Sequence, residues 1–289
     1  MALDALPQWF RAHHRALPWR EQQCTPWGVL VSEVMLQQTP VARVEPLWRE
    51  WMFRWPEPAD LAGATQADAI TAWGKLGYPR RAKRLYDCAR IIVAQHEGVV
   101  PQGLDELLAL PGIGDYTARA IRTFAFLIPE PIVDTNIRRV VARAVLGNGE
   151  AGPPRARADR DDVTGLLETI DPRDQVDLAK GLMELGAMVC TARTPQCNEC
   201  PLLDSCAWAT AGYPAFEGKK SPKQARYEGS DRQARGVLLA QLRASDIPIP
   251  RGFLLGLWPN DTQATRALTS LIADGLLQVD QDGEISLAS

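Results

Sequence analysis

The sequence predicts an all-α chain through residue 210 followed by a small α+β module, and three observations carry that expectation. Apolar residues recur at helical spacing in one segment after another, and no alternating run that would mark a strand occurs before the C-terminal end. The joints between segments are short and carry Pro, Gly or a capping Thr or Asp. With 289 residues and 46% hydrophobic content, the chain can bury a substantial core in one large or two modest domains.

Ala5 to Ala16 reads as a short amphipathic helix that Pro18 ends within LPWR. Thr25-Pro26 and Thr39-Pro40 each place a capping residue before a first-turn proline, so 26–38 and 40–54 read as consecutive helices. Further helices are expected near 66–74, 79–97, 101–110, 115–127, 135–146, 159–170 and 174–189. Pro111 stops the helix at 101–110, and Gly112 and Gly114 let the backbone turn tightly before the next one begins, which makes a helix-hairpin-helix. Free N–H groups at such a turn, reinforced by the helix dipole, suit a DNA phosphate without any basic side chain.

Residues 211–230, polar, basic and rich in Gly and Pro, suit a linker. Residues 231–289 give two or three helices and then LLQVDQDGEISLA, in which Asp282-Gly283 signals a hairpin. That order resembles a small winged-helix module. Its helix before the hairpin, Asp261 to Asp274, sets Arg266 against two aspartates, so a structural or protein-contact role is expected rather than DNA reading.

The formal charge is 32 minus 35, or -3, with a pI near 5.7, which argues against a generally cationic surface. Basic residues nonetheless cluster at Arg80, Arg81, Lys83, Arg84 and Arg90 and again at Arg138, Arg139 and Arg143. Each cluster is either a DNA-facing patch or a solvated helix face. No apolar run approaches a membrane span and the N-terminus lacks a signal-peptide core, so a cytoplasmic location without membrane association is expected. Cys190, Cys197, Cys200 and Cys206, spaced C-x6-C-x2-C-x5-C, then look like metal ligands rather than disulfides. The spacing suits a zinc site and a [4Fe-4S] cluster equally. Cys24 and Cys88 do not fit it.

Glu33 is the only charged residue between Glu21 and Arg43, which places its helix away from water on most sides. Desolvation raises the pKa of a carboxyl held there, so it could stay protonated and serve as a general acid. The alternative is a buried Glu satisfied by Ser32 or a neighbouring arginine. Asp134, at a helix start after Pro129 and Pro131, reads as an N-cap that can double as a catalytic carboxylate.

LPWR, SEVMLQQT, GKLGYPRRAKRL, LPGIGDYTARAI, VDTNIRRVVAR and LMELGAMVCTARTPQCNECPL follow one another between Leu17 and about Pro214. In that order they resemble the MutY-type adenine DNA glycosylases of the helix-hairpin-helix base-excision superfamily, in the branch that includes endonuclease III. The resemblance implies a two-part catalytic domain over 1–210, with a six-helix part over about 25–130 and an iron-sulfur part from 1–24 and 131–210. It implies that Glu33 protonates adenine at N7 and later helps activate water, while Asp134 stabilises the oxocarbenium-like sugar. Tyr116 stands where bifunctional relatives carry the Schiff-base lysine, which implies a monofunctional enzyme that leaves an intact abasic site. Gln37, Gln38 and Tyr78 match residues that push into the duplex, Asn136 one close to the aspartate, and Arg81, Gly112 and Gly114 DNA-contacting positions. The four cysteines match the [4Fe-4S] motif.

The implied partner is double-stranded DNA containing A opposite 8-oxoguanine or guanine, met by a monomer. Two departures stand out: Pro79 follows Tyr78 where the family often has a second tyrosine, and nothing in 231–289 reads as the Nudix-like domain that helps recognise 8-oxoguanine. A thymine (T opposite G) mismatch glycosylase of the same fold and a non-enzymatic iron-sulfur DNA-binding protein are the alternatives.

Overall fold

A computed structural model describes residues 3–219 and 226–289 of the chain. The segment 220–225 of the expected linker lies outside the described residues. By contact the chain divides into two units, Met1–Val29 with Gly114–Lys223 and Leu30–Ile113 with Gln224–Ser289. The divisions fall inside one helix, α2, and inside the glycine hairpin.

The first unit contains α1 (Ala5–His13), the start of α2 (Pro26–Leu36), α8 (Asp115–Ala125), α9 (Thr135–Ala144), α10 (Ala156–Glu168), α11 (Gln175–Met188) and the short α12 (Ala207–Thr210). The apolar faces of α1, α9 and α11 make its core, with Leu6, Ile137, Val140, Leu178, Leu182 and Leu185 nearly or fully buried. Backbones come very near one another where α11 meets the start of α9. A Cβ on Gly186 would stand 2.8 Å from both the Cβ and the carbonyl oxygen of Asn136, so no larger residue fits there.

Thr25 caps α2 as expected, its Oγ1 accepting from Gly28 N at 3.2 Å. Thr39 does not cap the next helix. That helix, α3 (Val41–Arg54), starts after an extended Pro40, and the Thr39 hydroxyl is engaged elsewhere.

The second unit continues with α3, α4 (Pro58–Gly63), α5 (Gln66–Ala72), α6 (Arg80–Gln95) and α7 (Leu104–Ala109). The short α4 was not expected from periodicity. A reciprocal Glu57–Asp60 capping box and Pro58 in the first turn define it instead. Edge-to-face contacts of the fully buried Trp51 with Trp55 and Trp73, at 4.8 and 5.6 Å between centroids, fix α3 against the end of α5.

The same unit includes α13 (Asp231–Arg243), β1 (Ile249–Pro250), α14 (Arg251–Leu255), α15 (Asp261–Ala273), β2 (Leu277–Val279) and β3 (Glu284–Leu287). The expected hairpin turns at Asp282-Gly283, and the sheet order is β1-β3-β2, all antiparallel. Two residues long and ending in Pro250, β1 carries no alternating signal and was not foreseen. Arg266, the base of the helix before the hairpin, is held by Asp231 at 2.7 Å. Among the described residues no helix is long and apolar enough to cross a membrane.

In the first unit a buried carboxylate anchors the N-terminal segment. Glu184 on α11 is fully buried and receives Arg15 Nη2 and Arg20 Nη2, each at 2.8 Å, together with Arg15 N and Nε. Burial alone would raise its pKa, but these bonds and the two positive charges outweigh that and hold it near 2, against an ordinary 4.5. Because the folded value lies below the unfolded one, the stabilisation is complete above about pH 4.5 and is lost as pH falls toward 2. Glu184→Ala, which strands two guanidinium groups, is expected to cost about 3–5 kcal/mol in denaturant unfolding at neutral pH. The gap between variant and parent should close in acid.

Candidate active site

Glu33 lies within α2, whose residues from Trp27 to Met35 are all buried. Glu33 itself is 5% exposed, as a helix with a single charge requires. Just beyond the helix, Gln38 is exposed with φ 57°, a left-handed conformation that side chains rarely adopt.

Tyr78 repeats that conformation, with φ 49° and 41% of its surface exposed, in the turn between α5 and α6. Two of the residues expected to enter a duplex are therefore held in strained backbone, and strain of this kind persists only where the surroundings over-determine it.

Arg81 supplies much of that determination. It is 7% exposed, and its Nη1 donates to the carbonyls of Val34, Met35 and Gln37 at 2.9, 3.0 and 2.6 Å. Its Nη2 donates to Thr39 Oγ1 at 3.1 Å and Gly77 O at 3.2 Å, and its guanidinium carbon stands 5.3 Å from the ring centres of both Trp73 and Tyr78. Burial pushes this guanidinium down to about 10. The expectation that Arg81 meets DNA itself is corrected by these contacts, because an inward group committed to five acceptors ties the Gln37-Gln38 turn to the Tyr78 turn. Among its basic neighbours, Lys83 pairs with Asp87 at 2.7 Å and Arg80 with Asp274 at 3.3 Å.

In the glycine turn, Gly112 has φ 83°, and a Cβ there would stand 2.9 Å from the Cβ of Arg84. Gly114 caps α8 in extended backbone, and its carbonyl accepts the Ala118 N–H at 2.9 Å. Tyr116, in the first turn of α8, is half-buried against the core of the first unit.

Asp134 caps α9. Its Oδ1 accepts from Ile137 N at 2.7 Å and its Oδ2 from Asn136 Nδ2 at 2.8 Å. Burial raises the pKa of this carboxyl more than the donors from Ile137 and Asn136 and the charge of Arg139 lower it. Asn136 in turn accepts from Arg139 Nη2 at 2.8 Å, and Arg139 Nε donates to the carbonyl of Cys190 at 2.7 Å. One turn on, Arg143 is 5% exposed and donates to the carbonyls of Gly149 and Thr191 and to the sulfur of Cys190 at 3.4 Å. Arg138 holds Asp159 at 2.7 Å. The basic run at 138–143 is thus neither a DNA-facing patch nor a solvated face. One signal of this was in the sequence: Arg143 falls three residues after Val140, at the edge of the apolar face of α9.

Cys190, Cys197, Cys200 and Cys206 lie in the segment after α11, near enough for the other three to act electrostatically on Cys200. Burial pushes the Cys200 thiol up to about 11, and the charges of the other three add to the rise. Four thiolates so placed need a metal charge among them, which fits a metal-ligating set. Among the described residues no three His, Cys, Asp or Glu side chains converge tightly enough to hold one ion.

Comparison with known proteins agrees. Residues 31–163 match the HhH-GPD superfamily of base excision DNA repair proteins, and residues 190–206 match the iron-sulfur binding domain of endonuclease III. Among solved structures, a thermostable thymine-DNA glycosylase superposes with a TM-score of 0.63 at 25% identity, over 72% of this chain and 95% of that one. A trapped endonuclease III–DNA covalent intermediate gives 0.62 at 23% identity, over 74% and 96%. Fold and cysteine loop together define a helix-hairpin-helix base-excision repair protein with a [4Fe-4S] cluster.

The sequence relatives narrow the class. The chain is 52% identical over 280 residues to the adenine DNA glycosylase of Mycobacterium tuberculosis, covering 96% of this chain and 91% of that protein. It is 50% identical over 286 residues to that of Mycolicibacterium smegmatis, covering 98% and 94%. The human adenine DNA glycosylase is 36% identical over 70% of this chain and 38% of its own length. The chain belongs to the adenine DNA glycosylase family.

Arg81→Lys distinguishes a clamp from a phosphate contact. Lysine keeps the charge but cannot reach five acceptors, so the substitution is expected to destabilise the fold by about 2–3 kcal/mol through stranded carbonyls, read by denaturant unfolding. A phosphate contact would instead leave stability unchanged and alter only the salt dependence of DNA binding.

Proposed function

We propose that this chain excises adenine from duplex DNA in base excision repair, as a monofunctional glycosylase acting where adenine lies opposite 8-oxoguanine or guanine. The observation that carries this is the 52% identity to an adenine DNA glycosylase across 96% of the chain. In this reading Glu33 donates a proton to N7 of the extruded adenine, which turns the purine into a better leaving group. Its burial supports the role, since it keeps bulk water away from the proton to be transferred. As the bond to C1′ breaks, the sugar becomes positive, and Asp134, fixed by two donated hydrogen bonds, supplies the stabilising carboxylate. Glu33, now ionised, takes the proton of the incoming water, and an abasic site is left. Tyr116 cannot form a Schiff base, so the strand stays intact.

The N–H groups around Gly112 and Gly114 would hold a phosphate of the extruded strand. Gln37, Gln38 and Tyr78 would fill the space the base vacates. Asn136 acts through Asp134. When bound, the [4Fe-4S] cluster supplies the metal charge that keeps the four sulfurs as thiolates. The thymine-DNA glycosylase among the structural neighbours keeps a T opposite G activity as the second reading.

Single-turnover excision on duplexes holding A opposite 8-oxoguanine, A opposite G, T opposite G and paired A, each with and without alkali, tests the assignment. Cleavage only at adenine and only after alkali is expected. Excision from T opposite G alone would transfer the chain to the second reading, and a borohydride-trapped adduct would end the monofunctional one. Glu33→Gln should slow excision about 10²–10⁴-fold while duplex binding is retained. Because Asp134 works ionised and burial raises its pKa, activity should fall on the acid side at a pH above an ordinary aspartate's 3.8.

A further inference from the structure

The stretch from the end of α5 to Tyr78 is irregular backbone whose carbonyls are taken one after another by side-chain donors. Trp51 Nε1 donates to Ala72 O at 3.2 Å, Arg43 Nη2 to Lys75 O at 2.5 Å, and Trp73 Nε1 and Arg81 Nη2 to Gly77 O at 2.9 and 3.2 Å. Two more acceptors are filled from far along the chain. Arg243, the last residue of α13, donates Nε to Ile70 O at 2.9 Å and Nη1 to Gly74 O. It reaches them across 173 and 169 residues, and burial pushes its guanidinium down to about 10.

Within these nine residues Gly74, Gly77 and Tyr78 all have positive φ, at 52°, 90° and 49°. The two glycines adopt such angles freely, whereas Tyr78 carries a Cβ into them, so its conformation must be imposed from outside. Two further bonds hold the module beside the same stretch: Gln66 Nε2 donates to Gly275 O at 2.7 Å, and Arg80 Nη1 donates to Asp274 Oδ1 at 3.3 Å.

We infer that Arg243 is a positioning residue for base extrusion, through which the C-terminal module sets the turn that carries Tyr78. The module thereby acts on the reaction without touching DNA. In line with this, its helix before the hairpin spends Arg266 on Asp231, and the Asp274-Gly275 turn after that helix faces α5 and α6. The inference rests on the wedge role proposed for Tyr78.

The test uses the full-length, cluster-loaded protein and its Arg243→Ala, Arg243→Lys and Tyr78→Ala variants. Single-turnover excision is measured on A opposite 8-oxoguanine in a fully matched duplex and on the same pair flanked on both sides by mismatches, where the stack is already opened and extrusion costs less. Arg243→Ala should be about 10- to 100-fold slower on the matched duplex and much less impaired on the opened one. Arg243→Lys, which can restore one of the two donated bonds, should recover part of the loss.

Equal slowing on both duplexes would reveal a merely destabilised protein and overturn the inference, as would no slowing on either. If thermal denaturation shows Arg243→Ala to be unfolded, Arg243→Lys decides by the same ratio. Tyr78→Ala separates the two claims. A parent-like rate on the matched duplex would remove the wedge role itself, whereas slowing by Tyr78→Ala without slowing by Arg243→Ala would remove only the link to Arg243.

Discussion

Backbone that leaves helix and sheet must still satisfy its carbonyl groups, and this chain does so with arginines turned inward. Arg81 closes the turns around Gln37 and Tyr78, Arg139 and Arg143 close the loop that begins at Cys190, and Arg243 closes the end of α5. A guanidinium suits the task because its planar fork offers five donors at fixed angles, so one side chain can serve several carbonyls at once. The cost of burying it is visible at Arg81 and Arg243, both pushed down to about 10. A net charge of -3 in a DNA repair family is then less surprising, since much of the basic content is structural.

Glu184, fully buried, and Asp134, half-buried, belong to the same unit, yet they shift in opposite directions. Glu184 meets two guanidinium groups and is held ionised near 2. Asp134 meets a backbone N–H and a carboxamide, with the Arg139 charge acting on it without a direct bond, and desolvation prevails. Full ion pairing makes a carboxylate an anchor and lowers its reactivity. Neutral donors fix position while leaving the negative charge available to something else, as the role proposed for Asp134 requires.

Most of the fold was legible because helical period, capping residues and glycine turns are local signals. The hairpin at Asp282-Gly283, the Thr25 cap and the glycine turn at Gly112 were all read from a few adjacent residues. The short α4 escaped because six residues are too few to display a period, and β1 because two residues cannot alternate. Glu33 was legible as a lone charge in an apolar helix, and the cysteines by their spacing. The direction of the arginines was not. Arg81 finds its acceptors 42 to 47 residues away as well as one turn back, and a backbone carbonyl has the same chemistry under every side chain, so the sequence carries no mark of which ones await a donor.

The two units alternate along the chain: the first opens it, the second follows to Ile113, the first resumes, and the second closes it. Neither is a continuous stretch that a gene fragment could encode alone. During synthesis the N-terminal helix α1 must wait for α11 before its anchor Glu184 exists, and the turn at Gly74 waits for residue 243 before its last donor arrives. A single crossover therefore cannot trade one unit for another without breaking both.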